Sequence, residues 1–388
     1  MQNKDYSKYI YLDNAATTRV NSEVLEKMLP YLTSNYANPS SIYRFASDMK
    51  ADLEDFREIV ADSINAKSNE IYFTSGGTES DNWALRMIAK SFCHKGKHII
   101  TTKIEHDAVL KTCEALEKEG FLITYLDVNK DGIVNINDLR EAIRDDTILI
   151  SIMFANNEIG SIQPIKEIGK IARENNIYFH TDAVQAYTKL DIDVNDMNID
   201  LLSASGHKIH APKGVGFLYI RSGIKIKALL TGGGQERKRR AGTENMAGIA
   251  GLAAAVSFSQ KHKKEHLQYI SKLRDYMLNR ILKEIDKTKL NGSIDKRLAG
   301  NLNISFEGIS SEILLIELDN AYICASAGSA CSTGSMSASH VLMALGQSND
   351  EALCGIRFSL EYENTYEEID YTVDLLKKSV ERIRRATF

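Results

Sequence analysis

Two hydrophobic periods alternate along the chain from about residue 70 to residue 220. Short apolar, β-rich runs recur at Ile71–Thr74, His98–Thr102, Phe121–Leu126, Thr147–Met153, Ile177–His180 and Val215–Ile220. Amphipathic stretches with helical spacing lie between several of them, such as Ala108–Glu119 and Ile165–Asn175. That alternation predicts an α/β unit built on a mostly parallel sheet. Such sheets place ligands at the carboxyl ends of their strands, so the residues that follow each strand carry the functional question.

The texture changes after about residue 255. A charged, helix-prone stretch, Gln260–Lys287, follows the small-residue run Ala247–Val256. Shorter strand-like segments come next, then a closing helix over Tyr366–Arg385. A second, smaller domain beginning near residue 260 is the simplest reading. With only four prolines and no long Gly/Ser linker, the two domains are expected to pack closely.

Three constellations carry candidate chemistry. In IYFTSGGTESDN (71–82) a strand runs into Gly76-Gly77, and Thr78 and Glu79 open a helix. Glycines let a bound group approach the backbone, and a helix N-terminus suits a phosphate. A plain glycine turn with a Thr cap explains the same residues. In IYFHTDAVQA (177–186) Asp182 ends an apolar strand, where a carboxylate needs a cation or several donors. Gln185 follows it within a helical turn. A helix-capping aspartate is the bland alternative. In ASGHKIHAPKG (204–214) Lys208 and Lys213 lie in a loop between two apolar segments. A lysine so placed is either a solvated charge or, with lowered basicity, an amine that forms a Schiff base. Phosphate loop, strand-end aspartate and later lysine are together the parts that a pyridoxal phosphate site requires.

Composition narrows the setting. Hydrophobic residues are 43% and charged residues 26% of the 388, as in an ordinary globular protein with a sizeable core. A net charge of −4 gives no global reason to bind nucleic acid or an anionic membrane. MQNKDYSKYIYLD lacks a signal-peptide core, and the apolar run Met246–Phe258 is too short to span a bilayer. A cytoplasmic protein is expected. The five cysteines show neither CxxC nor zinc spacing, so free thiols are expected. Two patterns are decoys. DVNKDGIVNIND (127–138) has calcium-loop spacing but follows a strand-like run and ends in Asp138, so a polar turn before a helix is expected. ERKRR (236–240) reads as a solvated or interface loop. His180, His210 and His340 are expected to be hydrogen-bonded structural residues.

The ordered motifs YLDNAATT, NPSS, FTSGGTESDN, EHDAVL, ANNEIG, HTDAVQA, SGHKIHAPKGVG, GGGQERKRRAGTEN, SAGSACSTGS and IRFSL run nearly end to end. The chain resembles the cysteine desulfurases of the NifS/IscS type, in the class V aminotransferase group of fold type I pyridoxal phosphate enzymes. HTDAVQA and HAPKGVG are closer to the NifS form. The resemblance implies a large cofactor-binding domain over 15–259, and a smaller α+β domain of 1–14 and 260–388 carrying a catalytic cysteine loop.

Motif by motif, the resemblance makes Lys208 the Schiff-base lysine. Asp182 is then the partner of the pyridine nitrogen, Gln185 of the ring hydroxyl, and His106 stacks on the ring and shares in proton transfer. Gly77, Thr78, Ser205 and His207 hold the phosphate, joined by Thr243 of a neighbouring subunit, which implies a homodimer. Asn157 and Arg357 hold the substrate carboxylate, and Cys331 is the nucleophile. Free cysteine then yields alanine, with its sulfur left as a persulfide on Cys331. No metal is implied beyond transient iron–sulfur ligation by Cys331. A sulfur acceptor or iron–sulfur scaffold protein is the implied partner. The departures are Ala327, where a serine often stands, and an end at Phe388 without the longer tail by which the IscS form docks a scaffold. The alternatives are a selenocysteine lyase or another enzyme of the same fold, and a non-enzymatic sulfur carrier.

Overall fold

A computed structural model describes residues 8–328 and 338–386. In chain order its strands are β1 (Ile10–Tyr11), β2 (Ile71–Thr74), β3 (His98–Thr102), β4 (Leu122–Leu126), β5 (Thr147–Ser151), β6 (Tyr178–Asp182), β7 (Leu201–Ser205), β8 (Gly216–Ile220), β9 (Thr288–Leu290), β10 (Asn301–Phe306), β11 (Ile323–Cys324) and β12 (Gly355–Ser359). The first helices are α1 (Ser22–Leu32), α2 (Arg44–Asp62), α3 (Gly77–Phe92), α4 (Asp107–Lys118), α5 (Ile136–Ala142) and α6 (Ile165–Glu174).

Seven strands form the central sheet in the order β2-β8-β7-β6-β5-β3-β4. The pairs β3–β4, β3–β5, β5–β6 and β6–β7 are parallel, and β8 runs antiparallel to both of its neighbours. Being antiparallel to β8 on its other side, β2 points the same way as β7. Only β8 is reversed, because the short loop 206–215 turns β7 directly back on itself. The connections β2–β3, β3–β4, β4–β5 and β5–β6 run through helices α3, α4, α5 and α6, and β6 reaches its parallel neighbour β7 through turns alone. Strands β2, β3, β5 and β7 are buried along their whole length, which explains their near-continuous apolar sequences.

The strands sit where the apolar runs predict, with three informative shifts. The sixth strand extends to Asp182, so the carboxylate is the last strand residue and does not follow it. Strand β5 ends at Ser151; beyond it Ile152 and Phe154 still donate to β6 carbonyls, while the Met153 N–H turns to the Glu105 carboxylate, at 3.0 Å and 3.1 Å. The small-residue run and the charged stretch after it are one helix, Met246–Glu284. Its Ala/Gly-rich first half lies against α1 and α2. Its second half supplies Ile270, Leu273, Met277 and Ile281 to a separate core. That core also contains Leu12, strands β10 and β12, and the closing helix Tyr366–Ala386. Residue 260 therefore lies inside a helix that reaches both cores.

The calcium-loop look-alike is a turn. Asp127 pairs with Lys103 at 2.6 Å, and Asn129 Oδ1 accepts from the Asp131 and Ile133 N–H groups. Ser161 donates to the Asp131 carbonyl and ties the turn to the chain beyond β5. Asn135 then caps α5.

ERKRR is not a solvated loop at its start. Glu236 is buried and forms a bidentate pair with Arg57, at 2.7 Å and 3.0 Å. Its second oxygen also accepts the Phe73 N–H of β2. Breaking a buried pair from one side strands the other charge. Arg57→Ala is expected to cost about 3–5 kcal/mol, read from the urea unfolding midpoint. A loss below about 1 kcal/mol would show that Glu236 finds solvent on its own.

Candidate active site

Because β2, β3, β5, β6 and β7 point the same way, their carboxyl ends meet at one edge of the sheet. A cavity of about 190 Å³ opens there. Ten of the residues singled out from sequence line it: Gly77, Thr78, His106, Asn157, Asp182, Gln185, Ser205, His207, Lys208 and Arg357. Thr243 does not; it is exposed, in the loop that precedes the long helix. Cys331 lies outside the described residues, which stop at Gly328 and resume at Ala338. Both ends of that gap sit by the cavity. Ser326 pairs with Arg357 through the backbone, and Ser339 donates to Glu158 at 2.5 Å.

Lys208 leaves β7 on a single 3-10 turn, Gly206–Lys208. Its Nζ donates to the Ala15 and Ala16 carbonyls, at 2.5 Å and 2.7 Å. Gln185 Nε2 donates to the same Ala15 carbonyl at 3.0 Å. The backbone of YLDNAATT thus fixes lysine and glutamine together. Lys213 sits in the return turn and does not line the cavity.

Asp182 accepts the Val184 N–H at 2.9 Å. Burial pushes its carboxyl up, against the pull of His106, the Val184 N–H and Lys208. Burial is the largest of these influences, and the net direction is upward. Beside it lies Asp81 of α3, buried, with Oδ1 lacking a hydrogen-bond partner in the protein. Burial and the neighbouring Asp182 hold Asp81 well above the usual carboxylate range. Two buried carboxyls facing one cavity are a place for a cationic group, and a protonated pyridine nitrogen is one.

His106 caps α4: its Nδ1 accepts the Ala108 N–H at 3.1 Å. The neutral ring therefore carries its proton on Nε2. His207 contacts Thr17 Oγ1 at 3.1 Å, and burial with the nearby Lys208 and Lys213 charges lowers it to about 4. It is a neutral imidazole at physiological pH. On the phosphate side, a Cβ on Gly77 would meet Val184 Cγ2 at 2.6 Å, so only glycine fits this approach. The Thr78 residue follows in the first turn of α3, opposite Ser205 and His207. Helix N-terminus, hydroxyls and imidazole make a cradle suited to a phosphate. The residues present therefore fit pyridoxal phosphate.

Arg357, on β12, reaches across from the second core. Its Nη2 donates to Asp13 at 2.7 Å and its Nη1 to the Asn157 carbonyl at 3.2 Å. Its buried Nε lacks a partner in the protein. Arg357 lines the cavity, where its guanidinium is the cation a ligand carboxylate would meet.

Sequence reasoning left several supporting residues unassigned. Glu105, beside His106 in EHDAVL, bonds Thr102 and the Met153 N–H and so joins the ends of β3 and β5. Asp81 lies in FTSGGTESDN, and Asp13, Ala15 and Ala16 in YLDNAATT. Their motifs were visible, but a backbone carbonyl has no side-chain signature. His180 bridges Ser151 and Ser203, at 2.8 Å and 3.0 Å, and burial lowers it to about 3. It is structural, as is His340, which contacts the Glu105 carbonyl. His210 adopts φ +64°, contacts the Arg19 carbonyl and faces Glu361 at 3.7 Å.

Fold and site together define a fold type I, pyridoxal phosphate-dependent enzyme. The chain belongs to the class-V aminotransferase family, whose model matches residues 10–372. It is 52% identical over 380 residues to the cysteine desulfurase IscS of Clostridium botulinum, covering 97% of this chain and 96% of that one. A solved NifS-like protein superposes with a TM-score of 0.90 at 36% identity, over 95% of this chain and 98% of the other. SspA in complex with cysteine superposes with a TM-score of 0.81 at 38% identity, over 92% and 100%.

Glu105 generates a pH prediction. Burial raises it to about 8, above the ordinary 4.5. Between those values the folded state holds a proton that the unfolded state has lost, so this group's stabilisation falls as pH rises. Urea midpoints at pH 5 and pH 8 should show wild type losing on the order of a few kcal/mol more than Glu105→Gln across the interval. Equal losses would place Glu105 as an anion throughout.

Proposed function

We infer that the chain is a cysteine desulfurase that converts L-cysteine to L-alanine and keeps the sulfur on Cys331 as a persulfide. The observation that carries this reading is the meeting of Lys208, Asp182 and His106 with Arg357 in one cavity, between the ends of the segment that bears Cys331. The cytoplasm is its proposed site of action. Among the described residues no helix is long and apolar enough to cross a membrane. Iron–sulfur cluster assembly is the proposed destination of the sulfur, through an acceptor or scaffold protein.

Pyridoxal phosphate, when bound, supplies an electron sink that stabilises negative charge at the substrate α-carbon. Lys208 would anchor the cofactor aldehyde and would move the substrate α-proton with its Nζ. Asp182 keeps the ring nitrogen protonated, which resolves its own uncompensated burial. Gln185 would bond the ring oxygen, and His106 would cover the ring face and share in proton transfer. Gly77, Thr78, Ser205 and His207 receive the phosphate. Arg357, with Asn157, orients the substrate carboxylate, while Asp13 and the Asn157 carbonyl hold the guanidinium plane.

The Cys331 thiolate then attacks the substrate Sγ. The Sγ–Cβ bond breaks, the new S–S bond forms, and the carbon takes up a proton. L-cysteine and one thiol become L-alanine and one persulfide, with no external oxidant. Sulfur attack needs a soft nucleophile, which a thiolate is. The large unit over 15–259 presents the cofactor, and the smaller unit of 1–14 and 260–388 carries Arg357 and Cys331. Thr243 is exposed and outside its own cavity, which fits delivery to the phosphate of a second copy in a homodimer.

Cys331→Ala is expected to bind cofactor as wild type does and to lose alanine formation by at least about a hundredfold. Mass measurement after incubation with cysteine should find one added sulfur on the peptide containing Cys331 in wild type only. Undiminished alanine production by the variant would sink the persulfide reading. Lys208→Ala should abolish turnover and the visible absorbance of the lysine-bound cofactor. Sedimentation of wild type, and restored activity on mixing inactive Lys208→Ala with inactive Thr243→Ala protein, check the shared site.

A further inference from the structure

Residues 235–243 connect the sheet to the long helix through an unfavourable backbone. Glu236, Arg237 and Lys238 have φ values of +44°, +57° and +66°, three successive non-glycine residues in the left-handed region. Such a run is costly for L-residues and persists only where the surroundings impose it. The imposing contact is the buried bidentate pair of Glu236 with Arg57, reinforced by the Phe73 N–H. The segment then leads to Arg240, whose guanidinium meets the Glu79 carboxylate through two bonds, at 2.8 Å and 3.0 Å.

Glu79 sits in the first turn of α3, directly after Thr78. Its Oε2 accepts the Ser75 N–H at 2.8 Å, so the carboxylate closes the turn that presents Gly76, Gly77 and Thr78. Burial pushes its carboxyl up, but Arg240 and the Ser75 N–H outweigh burial and hold it below the usual range. It is therefore a negative charge in the first turn of α3, next in sequence to Thr78 of the cradle assigned to phosphate. An anion there opposes a second anion arriving at the same helix end.

We propose that Arg240 is a positioning residue for the cofactor phosphate, cancelling the Glu79 charge so that the first turn of α3 accepts a phosphate, and that the strained Glu236–Lys238 turn exists to deliver it. Both side chains are shielded, at 21% and 11% exposure, so the pair is worth more than a surface pair. The Glu79 side chain keeps its capping bond, and Arg240 removes the electrostatic cost of that bond. The proposal rests on the phosphate assignment of Gly77 and Thr78.

The test is equilibrium binding to the apoprotein of two ligands, pyridoxal phosphate and pyridoxal, followed by absorbance, with inorganic phosphate as competitor. Arg240→Gln should weaken pyridoxal phosphate binding about tenfold, the size of one shielded charge interaction, and leave pyridoxal binding unchanged. Arg240→Lys should recover most of that loss. The double variant Glu79→Gln/Arg240→Gln should bind pyridoxal phosphate within about twofold of wild type, because the repelling charge has gone with its partner. Equal losses in single and double variants, or an equal loss of pyridoxal, would overturn the proposal and leave Arg240 a fold residue. Thr78→Val separates the two levels. If it weakens pyridoxal phosphate but not pyridoxal while the Arg240 variants do neither, only the Arg240 proposal falls. If Thr78→Val changes nothing, the phosphate assignment falls and the proposal with it.

Discussion

Parallel strands end together, and the site is a consequence of that. Strands β2, β3, β5, β6 and β7 deliver Thr74, Thr102, Ser151, Asp182 and Ser205 to one edge of the sheet. The loops that follow carry the glycine turn, His106, the Asn157 loop, Gln185 and Lys208. Residues more than a hundred positions apart meet because each strand stops at the same level. The reversed strand β8 is the one exception, and it costs the site nothing. It takes the chain from Lys208 back across the sheet, next to β2, and its first residue packs so closely that a Cβ on Gly216 would meet the Ala204 carbonyl at 2.4 Å.

Beneath this edge lies a layer of buried polar groups that a hydrophobic core would normally avoid. Glu105 ties β3 to the chain beyond β5, and His180 ties β5 to β7. Asp81 stands 3.6 Å from His180. These contacts run across the sheet rather than along it. They fix the spacing of the strand ends on which His106, Asp182 and Lys208 ride. Burial pushes the carboxyls of Glu105, Asp81 and Asp182 all upward, and of the three Asp81 and Asp182 line the cavity.

The strands and the cavity were legible in the sequence because both follow from local rules. An apolar run bounded by turn residues is a strand whatever surrounds it, so Ile71–Thr74 and His98–Thr102 fall where the pattern places them. Gly77, Asp182 and Lys208 were legible as chemistry because each is out of place as a core residue. The long helix Met246–Glu284 was not legible as one element, since its two halves bury against different cores and change hydrophobic character midway. Glu236 misled for a related reason. A glutamate within four basic residues reads as solvent, and only the tertiary partner Arg57, far away in sequence, makes it a buried anchor. The roles of Ala15 and Ala16 rest on carbonyl oxygens that every residue owns, so nothing in their side chains announces them.

Arg357 shows why the smaller core cannot be a passive appendage. It lies on β12, inside a sheet whose neighbours Leu302, Ile304, Ile356 and Phe358 belong to the second core. Yet its guanidinium spends itself on Asp13, near the chain start, and on the Asn157 carbonyl of the large sheet's loop. The guanidinium is thus held at two points drawn from two distant parts of the chain, which fixes its plane at the cavity wall. The segment that carries Cys331 is joined to this same arginine through the Ser326 backbone, at N···O distances of 2.6 Å and 3.1 Å. Arg357 thus contacts Asp13 and Asn157 through its side chain and Ser326 through its backbone, so a displacement of β12 that loosens the guanidinium moves the Ser326 backbone with it.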